Sequence, residues 1–118
     1  MKTVPVTIHI ERTKAGPKGT VSPDPVEIEL EDEVQWELVS AYSDSKATIK
    51  QKNAGDPWPF VTTPPNDIEQ TKPKKSGKTR DKPKKKTSYA VSCRVVDGTT
   101  PIKFEIDPDI IIIGGAFE

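Results

Sequence analysis

At 118 residues, 32% hydrophobic and with a formal net charge of zero, the chain is long enough for one domain with a modest core. Its single cysteine, Cys93, excludes an internal disulfide and any metal site built from several thiolates. The zero charge conceals a division: residues 72–86 carry nine basic side chains and one acid, +8, while the remainder carries nine basic and seventeen acidic, −8.

The N-terminal stretch has no apolar run of leader length, and no run approaches the roughly 18 residues of a membrane-crossing helix. With Met1 as the native start, a cytoplasmic protein without a membrane partner is expected. The periodicity is two from the outset. Val4, Val6, Ile8 and Ile10 alternate with Pro5, Thr7 and His9. Gly16-Pro17 and Pro23-Asp24-Pro25 then read as turns. Val26, Ile28 and Leu30 alternate with glutamates, and Val34, Trp36 and Leu38 with Gln35 and Glu37. Each run turns one apolar face to a core and one polar face to water. Ala47-Thr48-Ile49 and Phe60-Val61 are shorter candidates, separated by the turn signal Gly55-Asp56-Pro57.

Between residues 63 and 86 the only large aliphatic side chain is Ile68. So little apolar surface does not offset the entropy of ordering a chain, and a mobile insert is expected over 63–86. Alternation resumes with Tyr89, Val91, Cys93 and Val95, then Ile102, Phe104 and Ile106, with Asp97-Gly98 and Asp107-Pro108 as turns. Ile110 to Ile113 is continuously apolar, as in a strand buried on both faces, and Gly114-Gly115 ends it. Twelve prolines argue against a long helix. About seven short strands with turn signals between them predict an all-β, two-sheet Greek-key sandwich over 1–118, with the basic loop inserted before the penultimate strands.

The order of features resembles the cupredoxins. Residues 21–38, VSPDPVEIELEDEVQWEL, are similar to a cupredoxin strand pair joined by an acidic turn. Asp56-Pro57-Trp58-Pro59-Phe60 matches a Pro-Phe element, and Tyr89-Ala90-Val91-Ser92-Cys93 resembles the strand that delivers a copper thiolate. The resemblance implies a cupredoxin-like sandwich, with an Ig-like one as the alternative. Copper does not carry over. A blue-copper site needs two imidazoles beside the thiolate. Arg94, Val95, Val96 and Asp97 follow Cys93, and residues 46–49 contain no histidine. His9 is the only one, at a polar-phase position of the first strand.

Other candidate chemistry is sparse. Cys93 shares the phase of Tyr89 and Val91 and reads as core packing and not as a reactive thiol. Ser76-Gly77-Lys78-Thr79 has the tail of a phosphate-binding loop, but Lys72 stands where the leading glycine is needed. One outward histidine does not make a nucleophile–base pair. Glu27, Glu29, Glu31, Asp32 and Glu33 read as a solvated strand surface, and Asp107-Pro108-Asp109 lacks the oxygen ligands of a calcium site. Neither catalysis nor a cofactor or metal is expected.

Two features remain. Trp58 and Phe60, flanked by prolines, either plug one end of the sandwich or anchor a partner. The basic residues Lys72, Lys74, Lys75, Lys78, Arg80, Lys82, Lys84, Lys85 and Lys86 form a solubilising loop or import-like signal, a protein contact, or a polyanion-binding arm. The expected function is a non-enzymatic interaction module. Its lysine-rich loop contacts an acidic protein surface or another copy of itself; the alternative is sequence-independent nucleic-acid binding.

Overall fold

The structure, a computed structural model, describes residues 1–114, so Gly115 of the closing glycine pair lies outside the described residues. Those residues form nine strands and no helix, in two packed sheets. In the first sheet β1 (Thr3–Thr13) and β2 (Gly16–Ser22) make a hairpin. β4 (Glu33–Ser40) runs parallel to β1, and the two-residue β6 (Lys74–Lys75) lies outside β4. The second sheet runs β3 (Val26–Glu29), β9 (Asp109–Ile113), β7 (Lys86–Asp97), β5 (Ser45–Gln51). β8 (Thr100–Ile106) pairs with the far half of β7. Among the described residues no helix is long and apolar enough to cross a membrane.

The expected alternations become the strands because each delivers its apolar phase inward. Val6, Ile8, Ile10, Val34, Trp36 and Leu38 come from one sheet, and Val26, Ile28, Ile49, Val91, Ile110 and Ile112 from the other. All are at most 2% exposed. At one end four rings interlock. Trp58 stacks on Trp36 at 6.0 Å between ring centres, while Phe60 and Tyr89 meet Trp36 edge-on at 6.4 and 5.9 Å. The Trp36 indole N–H donates to the Tyr89 hydroxyl at 3.2 Å, so the buried polar atoms of that pair satisfy each other.

Three expectations change. Gly16-Pro17 is not the turn; Lys14 and Ala15 are, and Gly16 opens β2 with φ +113°. β2 has no apolar alternation because its inward phase is Pro17, Gly19 and Val21, and at Gly19 side chains of β8 fill the space. A methyl on Gly19 would stand 2.6 Å from Phe104 and 2.7 Å from Ile106. β9 is covered on one face only: Ile110 and Ile112 are buried while Ile113 is 41% exposed. Finally, Asp32 and Glu33 are not solvated; each is 7% exposed. Asp32 accepts the backbone N–H groups of Lys2 (3.0 Å) and Glu29 (3.2 Å), and Glu33 accepts the Thr3 hydroxyl at 2.8 Å. Those donors make the burial tolerable.

Candidate functional site

Sequence composition offers residues 72–86 no apolar anchor. The structure fastens the segment with backbone and small polar groups. Upstream of the lysines, Ile68 and Ala47 exchange backbone hydrogen bonds of 2.7 and 3.0 Å, and the Ile49 N–H donates to Pro65 at 2.9 Å. The chain thus runs along the outer edge of β5, and Ile68 is fully buried. It then crosses to the other sheet, where β6 lies along β4. The Ser76 N–H donates to the Val34 carbonyl and the Val34 N–H to the Ser76 hydroxyl oxygen, each at 2.8 Å. The Thr62 hydroxyl donates to the Ser76 carbonyl. Residues 78–80 next pair with 59–61, through Val61 N–H to Lys78 O at 3.0 Å and Arg80 N–H to Pro59 O at 2.8 Å. One strap therefore covers an edge of each sheet. A covered edge no longer offers unpaired backbone groups to another chain, and lysines along it discourage edge-to-edge pairing.

Thr79 does a second job. Its hydroxyl oxygen accepts the Glu31 N–H at 2.7 Å. Glu31 sits at φ +71°, a left-handed conformation that side-chain-bearing residues adopt at a cost. The strap thereby holds the turn that carries the chain from β3 in one sheet to β4 in the other. Ser76 and Thr79 are 0% and 3% exposed. They were missed in the sequence because hydropathy assigns small hydroxyl residues inside a lysine run to the surface.

The basic side chains divide into two sets. Four are paired with acids: Lys75 meets Glu33 at 3.7 Å, Lys84 meets Asp56 at 3.2 Å and Lys86 meets Asp109 at 3.7 Å on the body, while Lys72 meets Glu69 of its own segment at 3.6 Å. Such pairs at a surface contribute about 0–1 kcal/mol each. Lys84 also donates to the Gly55 carbonyl at 2.8 Å. Hydrogen bonds from Asn53 and then Lys84 hold the Asp56 carboxyl below its ordinary range. The other set is Lys74, Lys78, Lys82 and Lys85. All four are exposed, and none forms an ion pair among the described residues. Arg80 is half-buried beside Lys78. With Leu30, Glu31, Thr79 and Asp81 the two line a recess of about 190 Å³.

Trp58 and Phe60 face away from this surface, at 8% and 3% exposure. As core rings they plug this end of the sandwich, the first of the two roles expected for them. The two flanking prolines carry the chain across the end of the sandwich, and the strap covers it at Phe60, which bridges to Thr79.

The remaining candidates, Cys93 and His9, lie within strands. Cys93 sits in β7 with Ala47 of β5 and Phe104 of β8 as cross-strand neighbours. Burial pushes its thiol up to about 12. Residues 46–49 run alongside and present Ala47 to it. His9 stands between Thr20 and Val39 across its strand neighbours. Among the described residues no three histidine, cysteine or carboxylate side chains gather into a metal-binding group. Compared with protein-family models and with curated proteins, the chain matches none.

Proposed function

We propose that the protein is a non-enzymatic, cytoplasmic interaction module whose lysine-rich strap contacts an acidic protein surface. The observation that carries this reading is the split within the strap. Lys74, Lys78, Lys82 and Lys85 are exposed on a backbone fixed to both sheets, and have no acid of their own among the described residues. Cations held this way steer an acidic partner at long range and keep little order to lose on contact. We further read the sandwich as cupredoxin-like and free of copper. β3 and β4 are strands joined by the acidic turn, and Cys93 lies on a buried strand beside Tyr89 and Val91, but its surroundings keep it a thiol. Nucleic-acid binding is the less supported reading, because Trp58 and Phe60 are turned into the core and leave no stacking platform beside the lysines.

Titration with a poly-glutamate peptide and, separately, with a single-stranded oligonucleotide of equal charge tests the proposal. The peptide is expected to bind at about 50 mM salt and to be released at about 500 mM, where screening shortens the reach of charge to a few Å. Binding of the oligonucleotide alone would overturn the acidic-protein reading in favour of nucleic acid.

A further inference from the structure

Strand register assembles a second charged surface away from the strap. On the outward face of the five-stranded sheet, Lys46 of β5 lies directly opposite Arg94 of β7, and Arg94 directly opposite Lys103 of β8. All three are exposed. Like charges as cross-strand neighbours repel one another, so this row is unfavourable for the isolated sheet. Its local compensation is slight. Asp44 is 4.0 Å from Arg94, and Glu105 stands two residues from Lys103 on the same face.

The same face ends in the opposite sign. Glu27 and Glu29 of the edge strand β3 point outward, paired in register with Ile111 and Ile113 of β9. Ile113 is 41% exposed beside them. Lys86, opposite Ile111, is already engaged by Asp109. Along β7 the cationic row at Arg94 and the level of Glu27 at Lys86 are eight residues apart, about 26 Å in extended chain. One sheet face therefore has a basic end, an acidic end and an exposed isoleucine next to the acids.

We propose that this face pairs with the same face of a second copy of the chain. A two-fold axis lying in the plane between two such faces sets the basic end of each copy on the acidic end of the other. Both charge contacts then form at once, and the isologous arrangement closes as a dimer. The row of like charges acquires counter-charges beyond Asp44 and Glu105, and Ile113 is covered. A face of this size buries several hundred Å² per copy, at the low end for specific association. The dimer is accordingly weak, sensitive to salt and independent of Lys74, Lys78, Lys82 and Lys85.

Sedimentation equilibrium of the full chain over about 10 μM to 1 mM tests this, because small interfaces associate in that range. The mass should approach twice the monomer at low salt and return to one monomer at high salt. The triple variant Lys46→Glu/Arg94→Glu/Lys103→Glu and the double variant Glu27→Lys/Glu29→Lys should each be folded by circular dichroism and monomeric. Mixed in equal amounts, they should form a heterodimer, since every end then meets its opposite. Lys74→Ser/Lys78→Ser/Lys82→Ser/Lys85→Ser should dimerise like the native chain, which separates this interface from the strap's partner surface. A native chain that stays monomeric throughout would overturn the proposal, whether or not the cationic row binds an oligonucleotide. So would a dimer that survives the triple variant, or folded variants that fail to pair. The native-chain measurement decides the matter even where a variant does not fold.

Discussion

Single polar atoms fix this sandwich at points where its composition looks least able to hold. The Ser76 hydroxyl satisfies the buried Val34 N–H, so Ser76→Ala leaves that donor without a partner and should cost about 1–3 kcal/mol. A fall in the denaturant midpoint with an unchanged slope would show it. Glu31 lends itself to a paired test, because its φ of +71° suits glycine and excludes β-branched residues. Glu31→Gly should be neutral or stabilising by up to about 1 kcal/mol, and Glu31→Val destabilising by about 1–2 kcal/mol. Equal effects of the two substitutions would mean that backbone conformation does not govern the site. Cys93 should resist thiol reagents in the native protein, since burial holds the thiol protonated and out of reach. The pH dependence follows in sign. The folded thiol titrates near 12 instead of 9.0, so its contribution to stability is complete below pH 9 and is lost as pH climbs from 9 toward 12. Tyr89, raised by burial in the same direction, adds to this loss. Unfolding at rising pH, followed by near-ultraviolet circular dichroism, should therefore begin above pH 9 and be delayed in Cys93→Ala.

At the scale of elements, the strap holds two edges and one turn. Replacing 72–86 by a Gly/Ser linker removes β6, the Ser76 and Thr79 hydrogen bonds, and the cover over Phe60. The expected result is a loss of several kcal/mol and exposure of sheet edges, seen as early, aggregating thermal unfolding. A deletion that unfolds at the native temperature would mean that the strap rests on the body without supporting it. At the opposite side, Gly19→Ala should cost about 1–3 kcal/mol, because Phe104 and Ile106 must give way. How much of this was legible in the sequence follows from the kind of signal each element sends. β1, β3, β4, β7 and β8 were legible because one face of each is apolar and the period is two. β2, GPKGTVS, was not, because a strand held largely by main-chain pairing and close approach needs no alternation. The strap was read as a basic loop because its anchors are a serine and a threonine, whose burial depends on partners far away in sequence. Ile110 to Ile113 suggested two covered faces. Hydrophobicity alone cannot say that Ile111 and Ile113 sit on the outer face. The row of Lys46, Arg94 and Lys103 is invisible without register, since its members come from three separate strands.

The whole molecule is divided in charge but not into body and free arm. Three strap lysines are engaged by body acids and a fourth, Lys72, by Glu69 of the strap itself, and the cationic surface left over is smaller than the sequence count. A further cationic row lies on the sheet face, so a formal charge of zero coexists with two separate positive regions. The central claim is that the strap has two separable roles: buried hydroxyls hold the sandwich, and four exposed lysines meet the partner. The most direct measurement is the affinity of Lys74→Ser/Lys78→Ser/Lys82→Ser/Lys85→Ser for a poly-glutamate peptide at low salt, compared with the native chain. The account predicts at least a tenfold loss of affinity, about 1.4 kcal/mol, in a protein that unfolds at the native temperature. Native affinity in the variant would contradict it.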